Sequence, residues 1–476
     1  MTPDQMRQIL DRQKADFLAG GLPDAKTRLD RLDRLAALLR ENQQVLLDSL
    51  CADFGHRSME HARLTEIAVP IAEVRATHKH IEAWMRDEKR PIPLLQTLLG
   101  GRAWIQYQPL GSVGVIVPWN FPIYLAMGPL IGALAAGNRA MVKPSEFTPR
   151  VADQLAALFP RYFDEKEIAV ATGGAEVSAA FAELPFDHLV FTGAGAIAKH
   201  VMAAAAKNLV PLTLELGGKS PVIISREADL ADAAVKIVDF KLSNAGQTCI
   251  NADYLLVPEE CLEETIKTLQ QTVAKLFPTL LTNPDYTSIV NKRHFDRLSR
   301  YVDDALAAGV KCVDINPAGE SFAAQPEGQH KMMPRLFINP DDERLIMREE
   351  IFGPLLPIKT YRQMDEVIAY INRHDRPLAL YYFGPASGPE VERVLKGTIS
   401  GGVAINDIGA HAACENLPFG GVGPSGMGAY HGRDGFRQFS HAKSIFRQTR
   451  VDLMSLFGMR APYGPKFRAG VERFMK

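Results

Sequence analysis

Two side chains in this sequence could share covalent chemistry. Cys249 lies in Lys241-Leu-Ser-Asn-Ala-Gly-Gln-Thr-Cys-Ile-Asn251, a small, polar segment followed by the apolar run Tyr254-Leu-Leu-Val257. A thiol is a nucleophile only as thiolate, which needs an accessible position with positive charge or backbone donors around it. Asn244, Gly246, Gln247 and Thr248 are expected to supply that setting, since a core cysteine would more often have apolar neighbours. The competing use of Cys249 is as an inert buried loop residue. Glu215 stands in Leu214-Glu-Leu-Gly-Gly-Lys-Ser-Pro221, between leucines and just before two glycines. A carboxylate in apolar company has a raised pKa and can act as a base near neutral pH. The two lie 34 positions apart, enough for a helix and two turns, so both can return to one cleft.

The elements that must position them alternate between strand and helix. Gly111-Ser-Val-Gly-Val-Ile-Val-Pro118 is a buried-strand pattern that runs into Trp119-Asn120-Phe121-Pro122. An Asn at a strand's end presents its amide where ligands of α/β sheets bind; capping a helix is the competing use. Asn138-Arg-Ala-Met-Val-Lys-Pro-Ser-Glu146 is a second strand ending in polar residues, with Lys143 and Glu146 either ligands or a solvated pair at a turn. Further strands are expected at 167–171 and in His188-Leu-Val-Phe-Thr-Gly193. Gly193-Ala-Gly195-Ala-Ile-Ala198 then satisfies G-x-G-x-x-A between a strand and a helix expected over 197–207. By that generic phosphate-binding pattern Glu215, 22 residues past Gly193, would be a ribose ligand. Residues 221 to about 422 repeat the alternation, with helices expected over 230–243, 261–276 and 292–308 and a surface loop over 316–333. Glu350 and Phe352, in Glu350-Ile-Phe-Gly-Pro354, are either ligands or a capped turn with a core aromatic. Residues 4–90 read as a helical layer, and the run Arg102-Ala-Trp-Ile-Gln-Tyr-Gln108 alternates as a strand does.

These stretches carry a family resemblance. Leu214–Pro221 and the Cys249 segment, together with Pro118-Trp-Asn-Phe-Pro122, Lys143-Pro-Ser-Glu146, Phe191-Thr-Gly193, Glu349-Glu-Ile-Phe-Gly-Pro354 and Pro418-Phe-Gly-Gly421, resemble an aldehyde dehydrogenase from about residue 50 to about 445. The resemblance implies an α/β fold of two doubly wound domains plus a small β oligomerisation arm. Residues 1–90 and 110–215 would form the NAD(P)-binding domain and 216–422 the catalytic domain. Residues 91–109 and 423–447 would bridge to a partner subunit, and 448–476 would be a C-terminal tail. It also implies roles: Cys249 as nucleophile, Glu215 as general base and Asn120 as oxyanion donor. Trp119, Lys143, Glu146, Gly193, Gly195, Ala198, Glu350 and Phe352 would face the cofactor. Under it the ribose belongs to Lys143 and Glu146, and Glu215 is catalytic, against the generic pattern. This chain has Ala194 where the family usually has Ser, and Ala198 where a Gly is usual. Glu146 would accept hydrogen bonds from ribose hydroxyls and repel a 2′-phosphate, which favours NAD and leaves NADP possible. Ala52-Asp-Phe-Gly-His-Arg-Ser58 is similar to the matching stretch of bacterial coniferyl aldehyde dehydrogenases and is expected to supply no chemistry. Gly420–Gly432 is similar to the class-3-like branch, which implies a homodimer.

Composition bounds the function. The 476 residues exceed one ordinary core. A net charge of −1 gives no electrostatic footprint for nucleic acid or an acidic membrane surface. The five cysteines have no C-x-x-C spacing, which argues against a zinc site or disulfide framework and suits a cytoplasmic protein. No apolar run reaches about 18 residues, so no membrane span is expected. The expected function is NAD(P)-dependent oxidation of an aldehyde, coniferyl aldehyde or a related aromatic one, through a cysteine thiohemiacetal and thioester. A medium-chain aliphatic aldehyde is the alternative. Remoter ones are a CoA-acylating enzyme, which usually lacks the base at Glu215, a cysteine hydrolase, which would need a histidine beside Cys249, and a non-catalytic binding protein.

Overall fold

The computed structural model describes residues 1–475. Lys476, the end of the expected tail, lies outside the described residues. Three sheets organise the chain. In the first, Ile168–Val170, Arg139–Lys143, Ser112–Ile116, His188–Thr192 and Leu212–Glu215 lie side by side and parallel, and the short strand Gly426–Met427 closes the edge antiparallel to Leu212–Glu215. Its inner strands read as unbroken apolar runs because helices cover both faces. In the second, Gly402–Ile405, Ala379–Phe383, Pro221–Ile224, Tyr254–Pro258, Leu355–Tyr361 and Arg335–Ile338 are parallel, with Lys311–Asp314 antiparallel at the edge. The residues between the sheets, 216–220, have no regular structure.

The helical layer forms as the leucine spacing predicts. Ala25–Glu41 starts on an Asp24 side-chain cap and buries Leu32, Leu35, Leu38 and Leu39 fully. Val69–Trp84 packs beside it, against Tyr124–Ala136. That last helix is apolar on every face because it is enclosed, and it stops at Gly137, whose φ of 97° favours glycine. Ile168–Val170, Gly195–Ala206, Leu230–Leu242, Leu262–Leu276 and Lys292–Ala307 lie within a few residues of their expected ranges.

The third sheet pairs Glu88–Arg90 with Arg102–Pro109 and Arg102–Pro109 with Ser440–Arg447. It therefore takes in three residues before the expected start of the arm. Among the described residues, the outer edge of Ser440–Arg447 is unpaired. The loop over 316–333 is not all surface: Lys331 is buried, and its Nζ donates to the Leu280, Leu281 and Asn283 carbonyls.

Candidate active site

The nucleophile segment is a strained loop held from several sides. After the helix Leu230–Leu242, three successive residues turn left-handed: Asn244 (φ 47°), Ala245 (φ 50°) and Gly246 (φ 77°). A side chain at Gly246 would strike the Gly353 carbonyl, so glycine is needed there twice over. Gln247 is fully buried; its amide donates to the Asn244 and Ser288 carbonyls at 2.9 and 3.0 Å and accepts from Val290 N–H at 3.0 Å. Asn244 Nδ2 donates to the Asn120 and Gln247 carbonyls at 3.1 and 3.2 Å. Of the four residues expected to provide the thiol's polar setting, Asn244 and Gln247 do so through the loop and not through their own donors. Their donors are spent on carbonyls, and their work is to shape the loop. The backbone N–H groups of Cys249 and Ile250 lie where they favour the thiolate.

Cys249 is half-buried as a residue. Its sulfur sits deep enough that burial pushes the thiol well above its ordinary value, with the Glu215 and Glu350 carboxylates adding to the rise. Glu215 ends the strand Leu212–Glu215, is 1 % exposed, and has no hydrogen-bond partner on either carboxylate oxygen. Burial pushes it well above the usual carboxylate range. The structure thus brings Glu215 and Cys249 within each other's electrostatic field. No histidine enters this arrangement: His411 keeps both ring nitrogens unpartnered, and His431 Nε2 is engaged with the Tyr124 hydroxyl at 3.1 Å.

Asn120 follows the strand Ser112–Ile116, is 3 % exposed, and donates from Nδ2 to the Gln247 carbonyl at 3.2 Å. It caps no helix; the helix ahead begins at Tyr124 with Ile123 as its capping residue and no side-chain cap. The Asn120 backbone carbonyl accepts from Arg57 Nη1 at 2.7 Å as well as from Asn244. The segment Ala52–Ser58, expected to be chemically silent, therefore reaches the site.

A groove of about 740 Å³ is lined by Trp119, Glu146, Phe147, Gly193, Ala194 and His294 among others. Glu215, Lys143, Glu350 and Phe352 lie outside its lining. Lys143 is 1 % exposed; its Nζ donates to the Pro144 carbonyl at 2.7 Å and lies 3.7 Å from the Glu146 carboxylate. The helix Gly195–Ala206 opens toward the groove with no side-chain cap at Ala194. The N–H groups of Gly195 and Ala196 accordingly have no intrahelical partner, a ready anion site. Ala198 is 2 % exposed and packs with Phe191 and Val201. Its methyl faces the core, so it seats the helix and does not touch the groove.

Glu350 and Phe352 arrive from the second sheet's side. Burial pushes Glu350 up to about 8, with Asp253 adding to the rise and the Gly218 N–H opposing it. A side chain at Gly217 would occupy the position of the Glu350 carboxylate. Phe352 takes a φ of 49° and meets Trp119 edge-on at 5.3 Å. Such a backbone costs on the order of 1–3 kcal/mol and persists only where neighbours impose it. Those neighbours were not visible in the sequence. Lys219 pairs with Asp253 and donates to the Ile346 and Glu349 carbonyls at 2.9 and 3.0 Å. Asp253 accepts from Ile351 N–H at 2.9 Å, and Arg297 donates to the Glu350 and Ile351 carbonyls at 3.2 and 2.8 Å. His294, 4.8 Å from Trp119, was also missed; only its place in an amphipathic helix is legible beforehand.

Glu215 and Asn120 stand at the carboxyl ends of the strands Leu212–Glu215 and Ser112–Ile116, Cys249 comes from the loop ahead of Tyr254–Pro258, and the aldehyde dehydrogenase family model matches residues 1–445. The chain belongs to the aldehyde dehydrogenase family. It is 52 % identical to the probable coniferyl aldehyde dehydrogenase of Caulobacter vibrioides, over 97 % of this chain and 95 % of that one. It is 52 % identical to the coniferyl aldehyde dehydrogenase of a Pseudomonas species, over 97 % and 94 %. Among solved structures, the substrate-bound state of Staphylococcus aureus AldH superposes with a TM-score of 0.90 at 36 % identity, covering 99 % of both chains. As an aldehyde dehydrogenase the chain is an NAD(P)-dependent oxidoreductase that acts on an aldehyde. The residues present fit a dinucleotide: the groove holds about 740 Å³, Gly193 in its lining leads to an uncapped helix start, and an acidic group lines it at Glu146. Among the described residues no helix is long and apolar enough to cross a membrane.

Proposed function

We propose that this aldehyde dehydrogenase acts on coniferyl aldehyde or a closely related aromatic aldehyde, with Cys249 as nucleophile, Glu215 as general base and Asn120 as oxyanion donor. The observation that carries the site assignment is the Glu215 carboxylate: fully buried, with both oxygens free, inside the field of the Cys249 thiol. A carboxylate left unpaired at such desolvation cost has a chemical use more readily than a structural one. Cys249 adds to the aldehyde carbon and forms a thiohemiacetal. Asn120 Nδ2, with one hydrogen left beyond the Gln247 contact, and the Cys249 backbone N–H stand to receive its oxyanion. Glu215 takes a proton from the water that hydrolyses the thioester.

Bound NAD(P) supplies a hydride acceptor. Trp119 and Phe352 would flank it, Gly193 and the Gly195 N–H would meet its phosphates, and Lys143 and Glu146 would hold the adenosine ribose. Glu350 would hold the nicotinamide ribose. Glu146 favours NAD over NADP by repelling a 2′-phosphate. Residues 1–87 and 110–215 then form the cofactor domain, with 426–427 closing its sheet, and 216–422 the catalytic domain. Residues 88–109 and 440–447 form the arm, and 448–476 the tail.

The aromatic substrate is supported by the two coniferyl aldehyde relatives and by the rings near the site: Tyr124, Phe419, Tyr430 and His431 lie in mutual contact. A homodimer is supported by the unpaired Ser440–Arg447 edge, which another chain could extend or cover. Cytoplasmic residence is supported by the unpaired cysteines. The test is a comparison of kcat/KM for coniferyl aldehyde and octanal with NAD and with NADP. A preference for coniferyl aldehyde with NAD is expected; octanal turnover without coniferyl aldehyde turnover would replace the substrate assignment by the medium-chain one.

A further inference from the structure

We infer that Arg57 and Glu66 are positioning residues for the Asn120 amide, setting the backbone from which the oxyanion donor projects. The inference rests on the oxyanion role of Asn120 proposed above. Residues 119–121, between the strand Ser112–Ile116 and the helix Tyr124–Ala136, form a bend whose backbone tie to the helix is the Leu125 N–H to the Phe121 carbonyl at 2.9 Å. At Asn120 itself two charged side chains add support from behind. Arg57 Nη1 donates to the Asn120 carbonyl at 2.7 Å. Glu66 Oε2 accepts from the Ile123 and Tyr124 N–H groups at 3.0 and 2.8 Å, which also satisfies two orphan donors at the helix start. The two clamps are joined to each other: Arg57 Nη2 lies 2.9 Å from Glu66 Oε1, close as an ion pair though poorly aligned as a hydrogen bond.

Everything about this pair is buried. The side chains are 1 % and 0 % exposed. The guanidinium stacks over Phe54 at 4.8 Å and Phe121 at 5.0 Å, which fixes its plane. Burial draws Arg57 below its ordinary value and pushes Glu66 above its own, each opposed by the partner's charge. An apolar pair of the same size is often at least as stabilising as a buried ion pair, so stability alone accounts poorly for it. What the ions do that apolar groups cannot is hold three specific backbone groups of residues 120–124. Glu66 sits in a π-helical turn, Arg63–Ala68, a distortion of the kind found at functional sites. Arg57 comes from Ala52–Ser58, a segment tied to two regions: Asp53 accepts from the Arg150 and Val151 N–H groups, while Ser58 Oγ donates to Asp285 and Ser288 N–H donates to the His56 carbonyl. The Asn120 carbonyl is thus held between Arg57 and Asn244, so the amide and the Cys249 loop keep one register. Neither Arg57 nor Glu66 stands where it would touch substrate; both act through Asn120.

A double-mutant cycle on the full-length enzyme tests this. Arg57→Lys keeps the charge and gives up the two-pronged reach. Single-turnover cofactor reduction is measured for wild type, Arg57→Lys, Asn120→Ala and the double variant, with KM and thermal midpoint alongside. Arg57→Lys is expected to slow the single turnover by about tenfold to a hundredfold, the scale of a 1 Å misplacement, with KM changed less than about threefold. In the Asn120→Ala background the same change is expected to cost less than about threefold, because the group it positions is gone. Equal losses in both backgrounds would mean a merely structural role and overturn the inference. A rate for Asn120→Ala within about tenfold of wild type would overturn the oxyanion reading itself and the inference with it. If Arg57→Lys does not fold, Glu66→Gln takes its place, since its amide oxygen can still accept the two N–H bonds. Non-additivity with Asn120→Ala is expected there too, and additivity overturns the inference.

Discussion

Replacing Asn120 by alanine isolates the oxyanion donor with little damage to its surroundings. The carboxamide nitrogen has one hydrogen engaged by the Gln247 carbonyl at 3.2 Å, and that carbonyl keeps a second donor, Asn244 Nδ2, at the same distance. The Arg57 and Asn244 bonds go to the Asn120 backbone carbonyl and survive the change. The ground-state cost is therefore one long neutral hydrogen bond, about 1 kcal/mol. The transition-state cost is the loss of one preorganised donor, about 2.7–4 kcal/mol, or 10²–10³ in kcat. The excess of the second over the first is what the structure predicts. Single-turnover cofactor reduction gives the rate, and thermal unfolding gives the stability. Asn120→Asp, the same shape carrying negative charge, should lose at least as much rate. A loss below about tenfold, or a loss confined to KM, would show that the oxyanion is stabilised elsewhere.

Three further outcomes follow from the same geometry. Glu215→Gln should release one equivalent of reduced cofactor and then stall at the thioester. Because the Glu215 charge helps hold the Cys249 thiol up, iodoacetamide should alkylate the variant with a midpoint at lower pH; a midpoint unchanged or higher would contradict the coupling. Gly217→Ala places a methyl on the Glu350 carboxylate, so NAD affinity by fluorescence titration should fall by about tenfold or more in protein whose thermal midpoint shows it folded; undiminished affinity would remove Glu350 from the cofactor site. Glu73 is 6 % exposed and is pushed up to about 8 by burial and then by Glu415. The folded protein holds this proton more tightly than the unfolded chain, so the stability Glu73 contributes is full below the unfolded value and is lost as pH rises through about 8. Glu73→Gln should therefore gain on wild type between about pH 5 and about pH 9, by at most about 5 kcal/mol; a constant gap in urea unfolding across that range would contradict the burial account.

The parallel sheets were legible because their strands are unbroken apolar runs, and Gly137 and Asp24 mark helix ends by local rules alone. Cys249 and Glu215 become candidates through the family resemblance, since local sequence alone leaves Cys249 an ordinary loop cysteine. The groups that hold them do not. Lys219, Asp253 and Arg297 look like ordinary surface charges in sequence, yet they clip the 346–352 segment across the fold, and the left-handed φ of Phe352 depends on that clip. Asn244 and Gln247 read as the thiol's polar setting because sequence shows proximity along the chain, while their hydrogen bonds are set by carbonyls over a hundred and about forty residues away. Ala198 illustrates the same limit: a glycine pattern gives position in a turn, and only the sheet behind it decides which way a methyl faces. Arg57 was passed over because its meaning lies in Asn120 and Glu66, neither of which is its neighbour in sequence.

The most direct measurement of the central claim is the appearance of reduced cofactor by absorbance when purified enzyme meets coniferyl aldehyde and NAD, wild type beside Cys249→Ala. The account predicts sustained reduction by wild type and none by Cys249→Ala, with both proteins folded and both binding NAD. Reduction that persists in Cys249→Ala, or its absence in folded wild type with every aldehyde and either cofactor, would contradict it.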